Sequence, residues 1–201
     1  MDHVIAFDTT PPNGAGDEVG RREDLVRLGL WMFLATVTML FAAFTSAYIV
    51  RRSGPDWRHV ALPSILWLNT LMLAGASVAV EAATWSGARG QWRVSGAAFA
   101  GAIALGLAFL GGQLTAWRQM IAAGIYLPTS PHSSFFYMLT GAHAVHIVAA
   151  LAVLIWGGAE TWRGVGRRDP RGWKASIGLC RTFWHYLGAV WVYLFVLVSV
   201  Y

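Results

Sequence analysis

Charged residues and cysteines are both scarce in this 201-residue sequence. Asp, Glu, Lys and Arg make up 12% of the chain, about half of the roughly 25% that is usual in soluble domains. The single cysteine, Cys180, excludes an internal disulfide framework, a haem attached through a CxxCH motif and any thiolate cluster. Such sparse charge is typical of a chain that places most of its length in lipid.

Apolar residues and tryptophan are abundant instead. Apolar residues form 56% of the chain, and there are eleven Trp, a residue that is most stable at the level of the lipid headgroups. The formal charge of +5 lies in short segments between apolar runs, without a basic face interleaved with exposed aromatics. This distribution indicates orientation in a bilayer and argues against nucleic-acid binding.

Five apolar runs are long enough to cross a bilayer, which takes about 20 residues. The predicted spans are 25–50, 63–85, 94–117, 133–156 and 177–201. The predicted fold class is therefore an all-α membrane protein, a bundle of five transmembrane helices.

The polar residues 1–24 are predicted to form a disordered cytoplasmic tail, and residues 25–201 a single transmembrane domain. Lys and Arg are distributed unequally between the two sides of the predicted bundle. Ten belong to the side of the N-terminus: Arg21, Arg22, Arg27, Arg89, Arg93, Arg163, Arg167, Arg168, Arg171 and Lys174. Four belong to the other side: Arg51, Arg52, Arg58 and Arg118. This asymmetry predicts a cytoplasmic N-terminus and a C-terminus outside.

Three histidines lie inside the predicted spans, where ionisable residues are candidates for function. His143 and His146 are three residues apart in span four, and His185 lies in span five at a depth similar to that of His146. The two spans could therefore bring His146 and His185 together if they pack against each other. No carboxylate accompanies them, and the number and placement of the histidines do not suit haem or catalytic zinc. Neutral imidazoles that tie helices together are the favoured interpretation.

Span three is rich in glycine, and two spans contain buried amides. Small residues let helices approach closely in lipid, so the glycines of span three indicate either a docking face for a partner helix or packing within the bundle. We weigh these two alternatives equally. Asn69 and Gln113 lie well within apolar runs, where an amide without a partner is costly. They are predicted to form hydrogen bonds to neighbouring helices.

Several of these residues together resemble subunit III of haem-copper cytochrome c and quinol oxidases. The segment from Ser134-Phe135-Phe136 to Thr140-Gly141-Ala142-His143-Ala144-Val145-His146 is similar to a Phe-Phe…Thr-Gly-x-His-x-x-His motif of that family. Phe183-Trp184-His185-Tyr186 with Val190-Trp191 is similar to its C-terminal motif, and Asn69-Thr70 and Gln113 match shorter ones. The resemblance covers about residues 25–201.

The resemblance implies the short five-helix bacterial form of this subunit, in the inner membrane. Such a subunit carries no haem, copper or catalytic residue of its own. It packs against the catalytic subunit I, holds phospholipid, and supports assembly, proton uptake and turnover stability. The candidate residues for subunit, lipid or helix contacts are Asn69, Thr70, Gln113, Thr140, Gly141, His143, His146, Trp184, His185 and Trp191.

Two positions depart from the family pattern. Val37 stands where the family usually has Glu, and Gly188 stands where it has Asp. Both changes remove an ionisable group from the membrane, so they weaken the case for proton handling and favour a divergent branch. The alternative to an oxidase subunit is therefore a subunit III-like accessory protein of a nitric oxide reductase. A stand-alone transporter is disfavoured, because the sequence has no inverted repeat of interrupted spans.

Overall fold

The described part of the chain is almost entirely helical. A computed structural model describes residues 14–55, 57 and 62–200, with the backbone alone for residues 14–19, 22 and 23. Its helices are α1 (Gly14–Arg52), α2 (Ile65–Ala88), α3 (Trp92–Ala122), α4 (Pro131–Trp162), the short α5 (Val165–Arg168) and α6 (Pro170–Val200). Five of them are long and apolar enough to cross a membrane, which confirms the predicted fold class.

Most helix ends lie beyond the predicted spans, because a helix continues through polar turns that an apolar window leaves out, although α2 begins at Ile65, two residues inside its predicted span. The apolar part of α1 begins at Asp24, close to the predicted start. The helix itself begins at Gly14, ten residues before the predicted boundary at residue 24 between the tail and the bundle. The tail residues 1–13, Arg58 and Tyr201 lie outside the described residues.

Local sequence signals fix several helix ends. The Ser130 hydroxyl accepts a hydrogen bond from the backbone N–H of Ser133, and Pro131 occupies the first turn of α4, where a missing N–H costs nothing. Gly90 and Gly164 have φ angles of 77° and 74°, a region that only glycine adopts readily. They turn the chain after α2 and after α4, and so make the tight connections to α3 and α5.

The helices pack in a definite order around a common core. α3 lies between α2 and α4, and α6 packs against both α2 and α4. α1 packs mainly against α4 and α6. The largest fully buried side chains include Trp184 and Trp191 of α6 and Phe109 of α3, so α6 supplies the aromatic centre of the bundle.

The first helix is attached through one narrow stripe. Its buried residues are Leu34, Val37, Phe41, Thr45 and Tyr48, which recur every three or four positions and so share one helix face. Two hydroxyl pairs join α1 to α6, one beside this stripe and one within it. The Thr38 and Tyr186 oxygens lie 2.7 Å apart, and the Tyr193 hydroxyl donates to Thr45 Oγ1 at 3.1 Å.

Candidate functional site in the bundle core

The family-like motif residues of α2, α3, α4 and α6 meet in one layer of the core. Trp191 of α6 is at its centre. Its indole N–H donates to the Thr70 hydroxyl of α2 at 3.1 Å. Its ring lies 5.3 Å from His143 of α4 and 4.8 Å from Phe109 of α3, measured between ring centroids. This one side chain therefore joins all three neighbouring helices.

A second tryptophan connects α3 and α4 next to this layer, at Thr140, one helical turn before His143. The Trp117 indole donates to the Thr140 hydroxyl at 3.1 Å, and that hydroxyl also donates to the Phe136 carbonyl oxygen of its own helix at 2.6 Å. Thr70 is arranged in the same way, since its hydroxyl donates to the Leu66 carbonyl oxygen. Each threonine thus satisfies its own helix and still accepts an indole N–H from another helix.

Two amides and one imidazole complete this layer. Asn69 and His143 have no exposed surface and Gln113 is 1% exposed. Asn69 Oδ1 occupies the space above Gly112, where any Cβ would overlap it. None of the side-chain polar atoms of these three residues has a hydrogen-bond partner among the described residues. The prediction that Asn69 and Gln113 bond to neighbouring helices is therefore not met by the protein groups described.

His143 and His146 lie in different surroundings although they are three residues apart. His143 faces the core layer, whereas His146 is partly buried and lies against α1. The His146 ring lies 5.8 Å from the Phe41 ring and 6.3 Å from the Phe33 ring, between centroids. Its Nδ1 is 2.7 Å from the Ala142 carbonyl oxygen. His146 therefore contributes to the attachment of α1.

His185 forms an ionic cluster that the sequence did not predict. Its Nε2 lies 3.2 Å from Glu81 Oε1 of α2, and the same oxygen accepts from Arg181 Nε at 2.7 Å. His185 Nδ1 is 3.0 Å from the Arg181 carbonyl oxygen. His185 thus contacts α2 rather than pairing with His146, so equal depth did not imply contact. The spacing of Arg181 and His185, four residues apart on one helix face, was the available signal for a shared carboxylate.

The remaining candidate residues are not part of one site. Trp184 is fully buried and packs against Gly106, where an added Cβ would lie 3.0 Å from its ring. Gly141 has open space around the position of a Cβ. Val37 is 2% exposed, so an apolar contact of α1 fills the position of the family Glu. A Cβ at Gly188 would meet only Ser77 Oγ, at 3.8 Å.

Some glycines of α3 pack within the bundle, and others lie on its outer face, where a partner helix could dock. Gly96 and Gly106 approach Trp162 and Leu151, and Gly112 approaches Asn69, which is packing within the bundle. A Cβ at Gly101 or Gly111 would meet nothing within 4 Å. The glycines of α3 therefore do not form one common face, and only the outward ones, Gly101 and Gly111, are open to the approach of a partner helix.

A cleft opens beside the ionic cluster, between the start of α1 and the first half of α6. It has a volume of about 990 Å³. Its charged wall consists of Arg27, Lys174, Arg181, His185 and Glu81. Its apolar wall consists of Val26, Leu30, Trp31 and Leu179. Neither in this cleft nor in the rest of the described residues are three His, Cys, Asp or Glu side chains placed so as to hold a metal ion.

Comparison with known proteins gives one consistent result. The sequence profile of the family described as Cytochrome c oxidase subunit III matches residues 14–201. Cytochrome c oxidase subunit 3 of Bacillus sp. (strain PS3) is 26% identical over 177 residues, which are 85% of this chain and 83% of the relative. The probable cytochrome c oxidase subunit 3 of Mycobacterium bovis is 27% identical over 188 residues, or 88% of each chain. Cytochrome bo(3) ubiquinol oxidase subunit 3 of Pseudomonas aeruginosa is 28% identical over 176 residues, 85% of this chain and 82% of the relative.

Proposed function

Because this chain belongs to the cytochrome c oxidase subunit III family, we propose that it serves as the accessory third subunit of a bacterial haem-copper oxidase. The match over residues 14–201 carries this proposal, because it covers all five membrane helices. The subunit packs against the catalytic subunit I and supports assembly and turnover stability. Haem and copper reside in the partner, and this chain contributes neither a metal site nor a catalytic residue.

Purification in mild detergent tests the accessory role. The chain, carrying an affinity tag, should bring down a haem-copper catalytic subunit together with its haem absorbance. After dissociation and separation from that partner, the chain should have no Soret band of its own. A Soret band in the separated chain, or recovery of the chain with a nitric oxide reductase in place of an oxidase, would contradict the proposal.

We also propose that the cleft beside the ionic cluster holds a phospholipid. Its three cationic side chains, Arg27, Lys174 and Arg181, outnumber its single carboxylate, Glu81. Arg27 lies three residues after Asp24, where the candidate membrane span of α1 begins, and this supports a position for Arg27 near the depth of the headgroups. Basic side chains at this depth attract lipid phosphates. The apolar wall, with Leu30 and Leu179, suits the upper part of an acyl chain.

Lipid retention tests this site. The double variant Arg27→Gln/Lys174→Gln should lower affinity for an anionic phospholipid by about 2 kcal/mol, or roughly thirtyfold, at about 1 kcal/mol for each basic group. Mass spectrometry of lipids extracted from the washed protein measures the loss. The matched control Arg93→Gln/Arg167→Gln changes two exposed arginines that do not line the cleft. Equal lipid retention in the two variants would contradict the lipid site.

We propose that the N-terminus is cytoplasmic and the C-terminus lies outside. The supporting observation is the excess of Lys and Arg in the segments on the side of the N-terminus. Alkaline phosphatase, which is active only outside the cytoplasm, should be active when fused after Val200 and inactive when fused within the turn at Gly90. The reverse pattern of activity would contradict this orientation.

A further inference from the structure

The core layer around Asn69, Gln113 and His143 contains more polar atoms than its protein neighbours can satisfy. Both ends of each amide and both ring nitrogens of His143 are buried and have no partner among the described residues. A buried polar group without a partner destabilises the folded state, and six such atoms occur in these three side chains. This excess points to a further hydrogen-bonding group in the layer.

The three side chains belong to one site, because shared neighbours fix their positions. Gln113 lies on α3 between Phe109 and Trp117, one helical turn from each. Phe109 contacts the His143 ring at 6.1 Å between centroids, and Trp117 bonds to Thr140 of α4, one turn before His143. Gln113 therefore faces α4 at the level of His143.

Asn69 approaches the same layer from α2. It lies against Gly112, the residue before Gln113. Its neighbour Thr70 accepts the indole N–H of Trp191, whose ring also contacts His143. Three helices thus place unpartnered polar side chains around Trp191 and its direct neighbours.

The two threonine hydroxyls beside this region are already engaged. The Thr70 hydroxyl donates to the Leu66 carbonyl oxygen and accepts from Trp191. The Thr140 hydroxyl donates to the Phe136 carbonyl oxygen and accepts from Trp117. Neither hydroxyl retains a proton for the orphaned acceptors, and neither indole N–H is available to them.

We propose that this layer is an internal water-binding site, in which one or two water molecules bridge Asn69, Gln113 and His143. A buried water typically makes about three hydrogen bonds to polar groups that are otherwise unsatisfied. Water both donates and accepts, so it can serve the amide oxygens, the amide N–H groups and either tautomer of the imidazole. The bound water ties α2, α3 and α4 together where direct side-chain bonds are missing.

X-ray radiolysis of the intact complex tests this site, because hydroxyl radicals form in place from bound water and oxidise the side chains beside it. His143 and Trp191, which are 0% and 1% exposed, should be oxidised at least several-fold faster than expected for buried residues. Phe99 and Met120, equally buried at 0% and 1%, serve as internal references. Oxidation of His143 and Trp191 no faster than that of Phe99 would overturn the proposal and indicate that the amides pair directly.

A pair of variants on α3 tests whether Gln113 takes part in the water site. Gln113→Leu removes a polar partner of the water, so oxidation of His143 and Trp191 should fall toward the level of Phe99. Met120→Leu, also buried on α3 but two turns away, should leave that oxidation unchanged. Unchanged oxidation in Gln113→Leu would overturn the assignment of Gln113 to the site. The wild-type measurement is decisive even if Gln113→Leu fails to assemble.

Discussion

Replacing Trp191 with alanine should destabilise the chain by about 3 kcal/mol. Trp→Ala changes in soluble cores cost about 3–5 kcal/mol. The lower end applies here, because an unfolded membrane helix exposes its tryptophan to lipid rather than to water, so that the packing and the hydrogen bond are the main losses. Trp191 is 1% exposed, contacts Phe109 and His143, and donates to Thr70.

Unfolding in mixed micelles with increasing dodecyl sulfate, followed by far-UV circular dichroism, measures this loss. Trp156→Ala is the matched control, because Trp156 is 50% exposed on the outer face of α4 and should change stability little. Thr70→Val isolates the hydrogen bond and should cost only about 0.6 kcal/mol, the average for such bonds between membrane helices. Equal losses in Trp191→Ala and Trp156→Ala would contradict the central role of Trp191.

Replacing Gly106 with leucine should separate α3 from α4 and α6. A Cβ at this position would lie 2.6 Å from Leu151 Cδ2 and 3.0 Å from the fully buried ring of Trp184. Overpacking of a dense core costs about 1–3 kcal/mol and occasionally more, and a leucine adds three further carbons beyond the Cβ. The expected result is a loss of at least about 2 kcal/mol in the same unfolding assay.

Gly111→Leu is the control for this change, since it adds the same side chain to the same helix. A Cβ at Gly111 would meet nothing within 4 Å, and leucine is a better helix former than glycine. The stability of the chain should therefore be retained or slightly raised. If Gly111→Leu destabilised the separated chain as much as Gly106→Leu, the placement of α3 in the core would be wrong.

The two glycines also show why the sequence left two interpretations of α3 open. Five residues turn a helix by about 140°, so Gly106 and Gly111 cannot share a face even though both belong to one small-residue run. The sequence gives this angle but does not identify which side meets α4 and α6. The packing decides it, and it assigns Gly106 to the core and Gly111 to the outside.

The histidines illustrate the same limit. Counting residues from the helix ends estimated the depths of His146 and His185 in the membrane, but contact between them also depends on how each helix is rotated about its axis. His143 and His146 differ by about 60° around α4. Both rings lie near Phe41 of α1, but His143 also packs against Trp191 in the core, whereas His146 also packs against Phe33 of α1.

The sequence by itself determined the membrane class, the five helices and the residues of the family-like motifs. These features follow from local properties, because about 20 apolar residues must form a helix to satisfy their backbone in lipid. Only the tertiary structure showed that Glu81 meets Arg181 and His185 and that Asn69, Gln113 and His143 are buried without hydrogen-bond partners among the described residues. Lipid hardly discriminates among the rotations of an apolar helix, so close packing between side chains of different helices selects the rotation.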